Sequence, residues 1–352
     1  MYQCDKEGNM VTIVDIAKKA GVSRGTVDRV LHNRGKVSPE KVELVKYYAE
    51  QLGYKPNLAA QGLAARKKQF QFGFCYLQGK TAPFFEKVYN EARKYAKELT
   101  QYGVKVSFFP IPVEHNHDEE KILKFAQTYQ MDGWVMYGTF GMHYLKALER
   151  LGAEVPPIVA YNLDMKKRIA FVGCDYVQSG RLACGMVALM TNQSATVGIV
   201  TYYEKNTASQ DRIFGFKQEI EEHYPGMKIA EISYLEWYMD QFDVFLQVKG
   251  LLERNPQIDV IYLANPGDYS ICKAISKVAE KRHVKIITHD LASQELVEMI
   301  KAGEIAATIG QEPERQGRES LEILFNYLAY GKSPEKDWYK TELSIYIQQN
   351  VE

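Results

Sequence analysis

Apolar positions recur at three- and four-residue intervals over Ile13, Ile16, Ala17 and Ala20, with polar residues filling the gaps. That spacing predicts a short helix with one buried stripe. Thr12 precedes it as an N-cap, and Asp15 three residues on completes a capping box. Gly21 falls where a tight turn needs a positive φ, and Ser23 can cap a second helix. There Val27, Val30 and Leu31 point inward, which turns Arg24, Gly25, Asp28 and Arg29 to the outer face. A third helix opens at Ser38-Pro39, carries Val42, Val45, Ala49 and Leu52 on one side, and stops at Gly53. The chain therefore begins with an all-α helix-turn-helix head.

From Phe70 the pattern changes to short apolar runs alternating with amphipathic stretches. Strands are expected at Gln71–Leu77, Val104–Pro110, Gly133–Tyr137, Ile158–Asn162, Ile169–Gly173, Thr196–Tyr202, Lys228–Tyr234, Val260–Ala264, Lys285–Asp290 and Ala307–Gln311. Helices are expected between most of them, such as Phe84–Tyr102, Gly180–Met190 and Gln210–His223. Regular β–α alternation means a mostly parallel sheet covered on both faces. Roughly 280 residues with about ten strands exceed one doubly wound sheet, so an α/β body of two lobes with a cleft between them is predicted.

Charge sharpens the reading of the head. Residues 1–69 hold 13 Lys and Arg against 7 Asp and Glu, and since the whole chain is neutral the remainder carries −6. A basic head with two arginines on the outer face of its second helix is what a major-groove reader requires. No run approaches the roughly 18 apolar residues of a membrane span. Met1–Asn9 lacks the apolar core of an export signal, and the five scattered cysteines read as reduced thiols. A cytoplasmic protein with no membrane association is expected.

Signs of catalysis are absent from the pattern. No Gly-rich phosphate loop joins a strand to a helix, and no Gly-x-Ser-x-Gly elbow occurs. Glu114-His-Asn-His-Asp-Glu-Glu120 is the one stretch that resembles a metal site, yet its spacing fits no zinc pattern and it reads as a loop opening into a helix. We expect no enzyme, no catalytic residue, no metal and no cofactor. Polar residues at strand ends carry the weight instead, because ligands of such sheets bind there. Asn162, Asn265, Asp290 and Gln311 stand at those ends, and Arg212 sits near the start of a helix. Phe84, Phe85 and Trp237 supply aromatic faces. Planar polar groups beside aromatic plates suit a sugar.

Both halves resemble known families. Val11–Ser23, Thr26-Val27, Arg29-Val30-Leu31, Val37-Ser38 and Leu52–Asn57 resemble the lac repressor (LacI/GalR) family of bacterial transcription regulators. Ala82–Phe85, Val172–Arg181, Asp211–Phe216 and Thr308–Gly317 resemble the two-lobed, type I periplasmic sugar-binding fold with parallel sheets. The resemblance implies a helix-turn-helix domain over 1–56, a hinge helix and linker over 57–69, and an effector-binding and dimerisation domain over 70–352. It implies a homodimer on pseudo-palindromic operator DNA, acting as a repressor under a small-molecule effector, a sugar or sugar derivative. Contacts to DNA would come from Thr12, Ser23, Arg24, Gly25, Thr26, Asp28 and Arg29, with Arg24, Gly25 and Arg29 in the base-reading positions. In the hinge, Asn57, Ala60 and Leu63 would contact DNA, with Leu63 as the wedge that parts a base step. Effector contacts would come from Phe84, Phe85, Asn162, Arg212, Trp237, Asn265, Asp290 and Gln311. Asn162 stands where ribose binders often have Asp, and Pro266-Gly267 departs from the usual pair. Asp28 replaces a small hydroxyl residue, so it is expected to accept from a cytosine amino group or to pair with Arg24. The rival class is a solute-binding protein of a sugar transport system with a purely structural head.

Overall fold

The computed structural model describes residues 11–31, 37–54, 68–79, 83–115, 117–202, 207–236, 239–266, 269–280, 283–291 and 293–351. The head holds α1 (Ile13–Ala20), α2 (Arg24–Leu31) and α3 (Pro39–Gln51). Thr12 donates to Asp15 Oδ2 from its backbone N–H (2.8 Å) and its hydroxyl (2.6 Å). Gly21 turns the chain at φ 62°. Ile16, Ala17, Ala20, Val27, Val30 and Val45 form the small core that the apolar spacing predicts.

The body is two six-stranded sheets. The N-terminal lobe contains β1 (Gln71–Gln78), β2 (Lys105–Pro112), β3 (Gly133–Tyr137), β4 (Ile158–Tyr161), β5 (Ala170–Gly173) and β11 (Trp338–Lys340), in the order β11-β5-β4-β3-β1-β2. All of its pairings are parallel. The C-terminal lobe contains β6 (Thr196–Tyr202), β7 (Lys228–Leu235), β8 (Val260–Pro266), β9 (Lys285–His289), β10 (Ala307–Gly310) and β12 (Ser344–Tyr346), in the order β12-β10-β9-β8-β6-β7. Only β12 runs antiparallel among these strands. Ten of the twelve described strands match the sequence reading to within a few residues; β11 and β12, three residues each, were not anticipated.

Central strands are buried on both faces, hence their continuous apolar runs. Along β8, Val260, Tyr262 and Ala264 join one core layer. Ile261 and Leu263 join the other. Helices α4 (Pro83–Leu99), α5 (Glu119–Thr128) and α6 (Gly138–Leu151) follow strands of the first lobe. Helices α8 (Thr207–His223), α9 (Gln241–Arg254), α10 (Tyr269–Ala279) and α11 (Gln294–Lys301) follow strands of the second.

The chain crosses between lobes three times. After β5 it enters α7 (Tyr176–Met190), whose Ala183, Cys184 and Val187 lie in the second lobe's core. After β10 it returns through α12 (Pro313–Tyr330), whose Leu321, Leu324 and Phe325 lie in the first lobe's core. Between β11 and β12 it crosses again, and Leu343 packs against both cores. Every crossing passes the carboxyl ends of strands, which places the cleft there.

Candidate functional site

Arg212 and Asp290, 1% and 3% exposed, lie within electrostatic reach of each other near the lobe crossings. Arg212 projects from the first turns of α8. Its Nη1 donates to the Ala264 carbonyl (3.1 Å), and the guanidinium lies 4.9 Å from the Tyr176 ring centroid. Asp290 ends β9 with φ 65°, a left-handed conformation that Asp tolerates better than most residues. Its backbone N–H donates to Ile309 O (2.9 Å), and its carbonyl accepts from Thr308 Oγ1 (2.8 Å). Gln311 Nε2 donates to Asp290 Oδ2 (3.1 Å). Among the described residues, Arg212 Nε and Asp290 Oδ1 are buried with no hydrogen-bond partner. Burial pushes the Asp290 carboxyl up to about 6, against the pull of Arg212, Gln311 and Lys87 toward the ionised form.

Asn265 has a different place from a free ligand contact. Its Oδ1 accepts from Thr201 Oγ1 (2.5 Å) and Tyr202 N (2.9 Å), and its Nδ2 donates to Ser209 Oγ (2.7 Å). The amide thus ties β6 and β8 to the start of α8, from which Arg212 projects.

In the first lobe an aromatic cluster forms at the carboxyl ends of β3 and β4. Phe85 meets Tyr137 and Tyr161 edge-to-face at 5.1 and 6.2 Å between centroids. Phe84 lies against Phe85 (5.2 Å) but is itself almost wholly buried in the lobe's core. Asn162 ends β4 at φ 62°, and its carbonyl accepts from the Tyr176 hydroxyl (2.8 Å). Lys87 of α4 reaches the second lobe and donates to Leu291 O (2.5 Å). A cavity of about 300 Å³ opens beside this contact, lined by Phe84, Lys87, Asp290, Gln311 and Arg315 among others.

Sequence reasoning missed three neighbours. Cys174 donates its thiol to Gln311 Oε1 (3.2 Å). Tyr176 carries Arg212 on its face. His289 is fully buried with Ser179 Oγ at 3.3 Å and the Tyr262 hydroxyl at 2.8 Å. Burial and the nearby Arg212 hold its imidazole neutral, well below the ordinary histidine range. His289 and Cys174 also stand at strand ends, so the positional signal was there; the choice of planar polar groups passed over them.

In the head, Arg24, Gly25 and Arg29 are exposed along one side of α2. Ser23 Oγ accepts from Thr26 N (3.1 Å) and shares a hydrogen bond with the Thr26 hydroxyl (2.9 Å). Asp28 is partly exposed, and with burial its charge raises the Tyr54 phenol. The candidates Asn57, Ala60, Leu63 and Trp237, and Gly267, lie outside the described residues.

In the Glu114–Glu120 stretch, Asp118 caps α5 through Lys121 N (3.1 Å), and Glu119 pairs with Arg150 (2.8 Å). Among the described residues, the one His/Cys/Asp/Glu group with close ligand atoms is Glu219, Glu222 and His223. Arg181 already pairs with both of those glutamates.

A basic helix-turn-helix beside a two-lobed α/β body, with a charged polar cleft at the lobe crossings, defines a DNA-binding regulator controlled by ligand. Residues 12–57 match the family described as bacterial regulatory proteins, lacI family, and residues 72–333 match the periplasmic binding protein domain. The chain belongs to the lacI family of transcription regulators, with a periplasmic-binding-protein domain as its body. It is 28% identical over 248 residues to the sucrose operon repressor of Lactococcus lactis subsp. lactis, covering 70% of this chain and 73% of that one. It is 25% identical over 349 residues to the HTH-type transcriptional regulator MalR of Streptococcus pneumoniae serotype 4, covering 94% and 96%. Its fold resembles GanP, a glucose-galactose binding protein from Geobacillus stearothermophilus, with a TM-score of 0.67 at 23% identity over 80% of this chain and 98% of that one. No described helix is long and apolar enough to cross a membrane.

Proposed function

We propose that this regulator is a cytoplasmic, homodimeric repressor that binds pseudo-palindromic operator DNA and responds to a sugar or sugar derivative held between its lobes. The division into a head over 1–56, a hinge over 57–69 and a body over 70–352 belongs to this reading. So do the DNA contacts of Thr12, Ser23, Arg24, Gly25, Thr26, Asp28 and Arg29. One observation carries the effector site: Arg212 Nε and Asp290 Oδ1, within electrostatic reach of each other, are both buried without partners among the described residues. Leaving such groups unmatched is costly, and a ligand with adjacent hydroxyls satisfies both, one as acceptor and one as donor. Phe85, partly exposed above the Tyr137 and Tyr161 rings, would supply the apolar complement to sugar C–H faces. The names of the relatives, a sucrose operon repressor and a glucose-galactose binding protein, support the same ligand class. A ligand bridging both lobes sets their angle, and coupling of this kind is typically about 1–3 kcal/mol.

The test is a thermal-shift screen of the full chain against pentoses, hexoses, disaccharides and their phosphates, followed by operator titration with the sugar that stabilises it. Arg212→Ala should lose both the shift and the operator response while binding operator normally without sugar. A variant that responds with an unchanged midpoint would place the effector elsewhere. Sugar binding by a chain that shows no affinity for any duplex selected from random DNA would favour the solute-binding alternative.

A further inference from the structure

We infer that Cys174 is a positioning residue for ligand recognition: its thiol sets the Gln311 amide, which in turn sets the Asp290 carboxylate. The inference rests on the cleft reading above. Gln311 has an oxygen and a nitrogen that exchange places on a half-turn of its amide. Asp290 Oδ2 accepts from Nε2 (3.1 Å), so the oxygen must face away from the carboxylate. On that far side stands the Cys174 thiol, 3.2 Å from Oε1. An apolar side chain there would leave Oε1 a buried acceptor without a donor, so the amide would be held by its carboxylate contact alone and could shift within the cleft. Burial pushes the Cys174 thiol up to about 12, so it keeps the proton it donates.

The consequence falls on Asp290. With Oδ2 held by Gln311, the buried and unpartnered oxygen is Oδ1, the one left for a ligand hydroxyl. The same thiol has a second effect through topology. Cys174 lies on the first lobe crossing and Gln311 on the second, so their hydrogen bond ties two of the three crossings beside the Asp290 carboxylate. A change in lobe angle that separates the crossings also frees the amide. Ligand recognition and lobe position thus share one chain of hydrogen bonds.

The experiment compares the full-length wild type with Cys174→Ala, Cys174→Val and Cys174→Ser by calorimetric titration with D-ribose, D-glucose, D-galactose, sucrose and maltose, with Arg212→Ala as the control. Cys174→Val keeps most of the volume and removes the donor; Cys174→Ser keeps a donor. Val and Ala should each weaken the bound sugar by about five- to tenfold, the scale of one hydrogen bond. Ser should restore affinity to within about threefold of wild type. A second reading needs no ligand. The infrared S–H stretch isolated by subtracting the Cys174→Ala spectrum should lie at the hydrogen-bonded position, and should move to the free position in Gln311→Leu. If a sugar binds wild type and requires Arg212, but Val and Ala bind it unchanged, or the S–H band is free, the role of Cys174 falls while the cleft stands. If no sugar binds, or Arg212→Ala binds as well as wild type, the cleft reading fails and takes this inference with it.

Discussion

Asp290 illustrates how one residue's surroundings become a pH dependence. The folded protein holds its proton more firmly than the unfolded chain does, because burial raises the carboxyl from 3.8 to about 6. Stability should therefore fall as pH rises from about 4 to about 6, by up to roughly 3 kcal/mol, and stay lower above that. Melting temperatures of wild type and Asp290→Asn across this window should diverge, with the variant lacking the fall. A hydroxyl donating to Oδ1 favours the ionised form, so sugar affinity should rise over the same interval. Arg212, Asn265, Asp290 and Gln311 were all recognisable as strand-end or helix-start polar residues. Which of them is free for ligand was not. Asn265 looks the same in sequence whether it faces a sugar or braces Thr201, Tyr202 and Ser209. The helical period placed Asp28 toward the outer side, but nothing local indicates that Tyr54 comes to lie near it.

The position of Arg212 depends on how closely two helices approach. A Cβ added at Gly180 of α7 would come within 1.9 Å of Arg212 O, and one at Gly215 of α8 within 2.0 Å of Val177 O. Both helices thus touch backbone to backbone, and only glycine permits it. Gly180→Ala should force α8 outward, costing about 1–3 kcal/mol of body stability and abolishing the sugar response with Arg212 displaced. Denaturant unfolding and calorimetric titration check the two halves; a variant of wild-type stability that binds sugar normally would contradict the packing. Long apolar strands such as Thr196–Tyr202 were legible because burial on both faces leaves an unbroken hydrophobic run. Trp338–Lys340 and Ser344–Tyr346 were not, because three residues carry no measurable period and both strands exist only through pairing with β5 and β10.

Assembly belongs to the scale of the molecule. Phe242 and Leu246, one turn apart on α9, are 65% and 48% exposed, and Tyr269 at the start of α10 is 41% exposed. Gln241 Nε2 reaches Ser270 O (3.2 Å), so the two helices present these side chains as neighbours. On the homodimer reading proposed above, this face would form part of the contact between copies. Phe242→Asp/Leu246→Asp should sediment as a monomer at concentrations where wild type is dimeric, and should lose its preference for inverted half-sites over a single half-site. A double variant that remains dimeric would move the interface elsewhere.

Local pattern was sufficient for what depends on neighbours along the chain. The helix-turn-helix, its capping box, the αL turn at Gly21 and the basic surplus of the head follow from periodicity and charge within a few dozen residues. The succession of strands and helices, and hence an α/β body of two lobes, follows in the same way. Tertiary structure decided what depends on residues far apart in sequence. It brought Cys174 against Gln311 and Lys87 against Leu291. It engaged Asn265 internally and left Arg212 Nε and Asp290 Oδ1 buried and unmatched. The reason is physical: periodicity reports which face of an element is apolar, whereas desolvation and hydrogen bonding are set by whichever distant groups the crossings bring within about 3 Å.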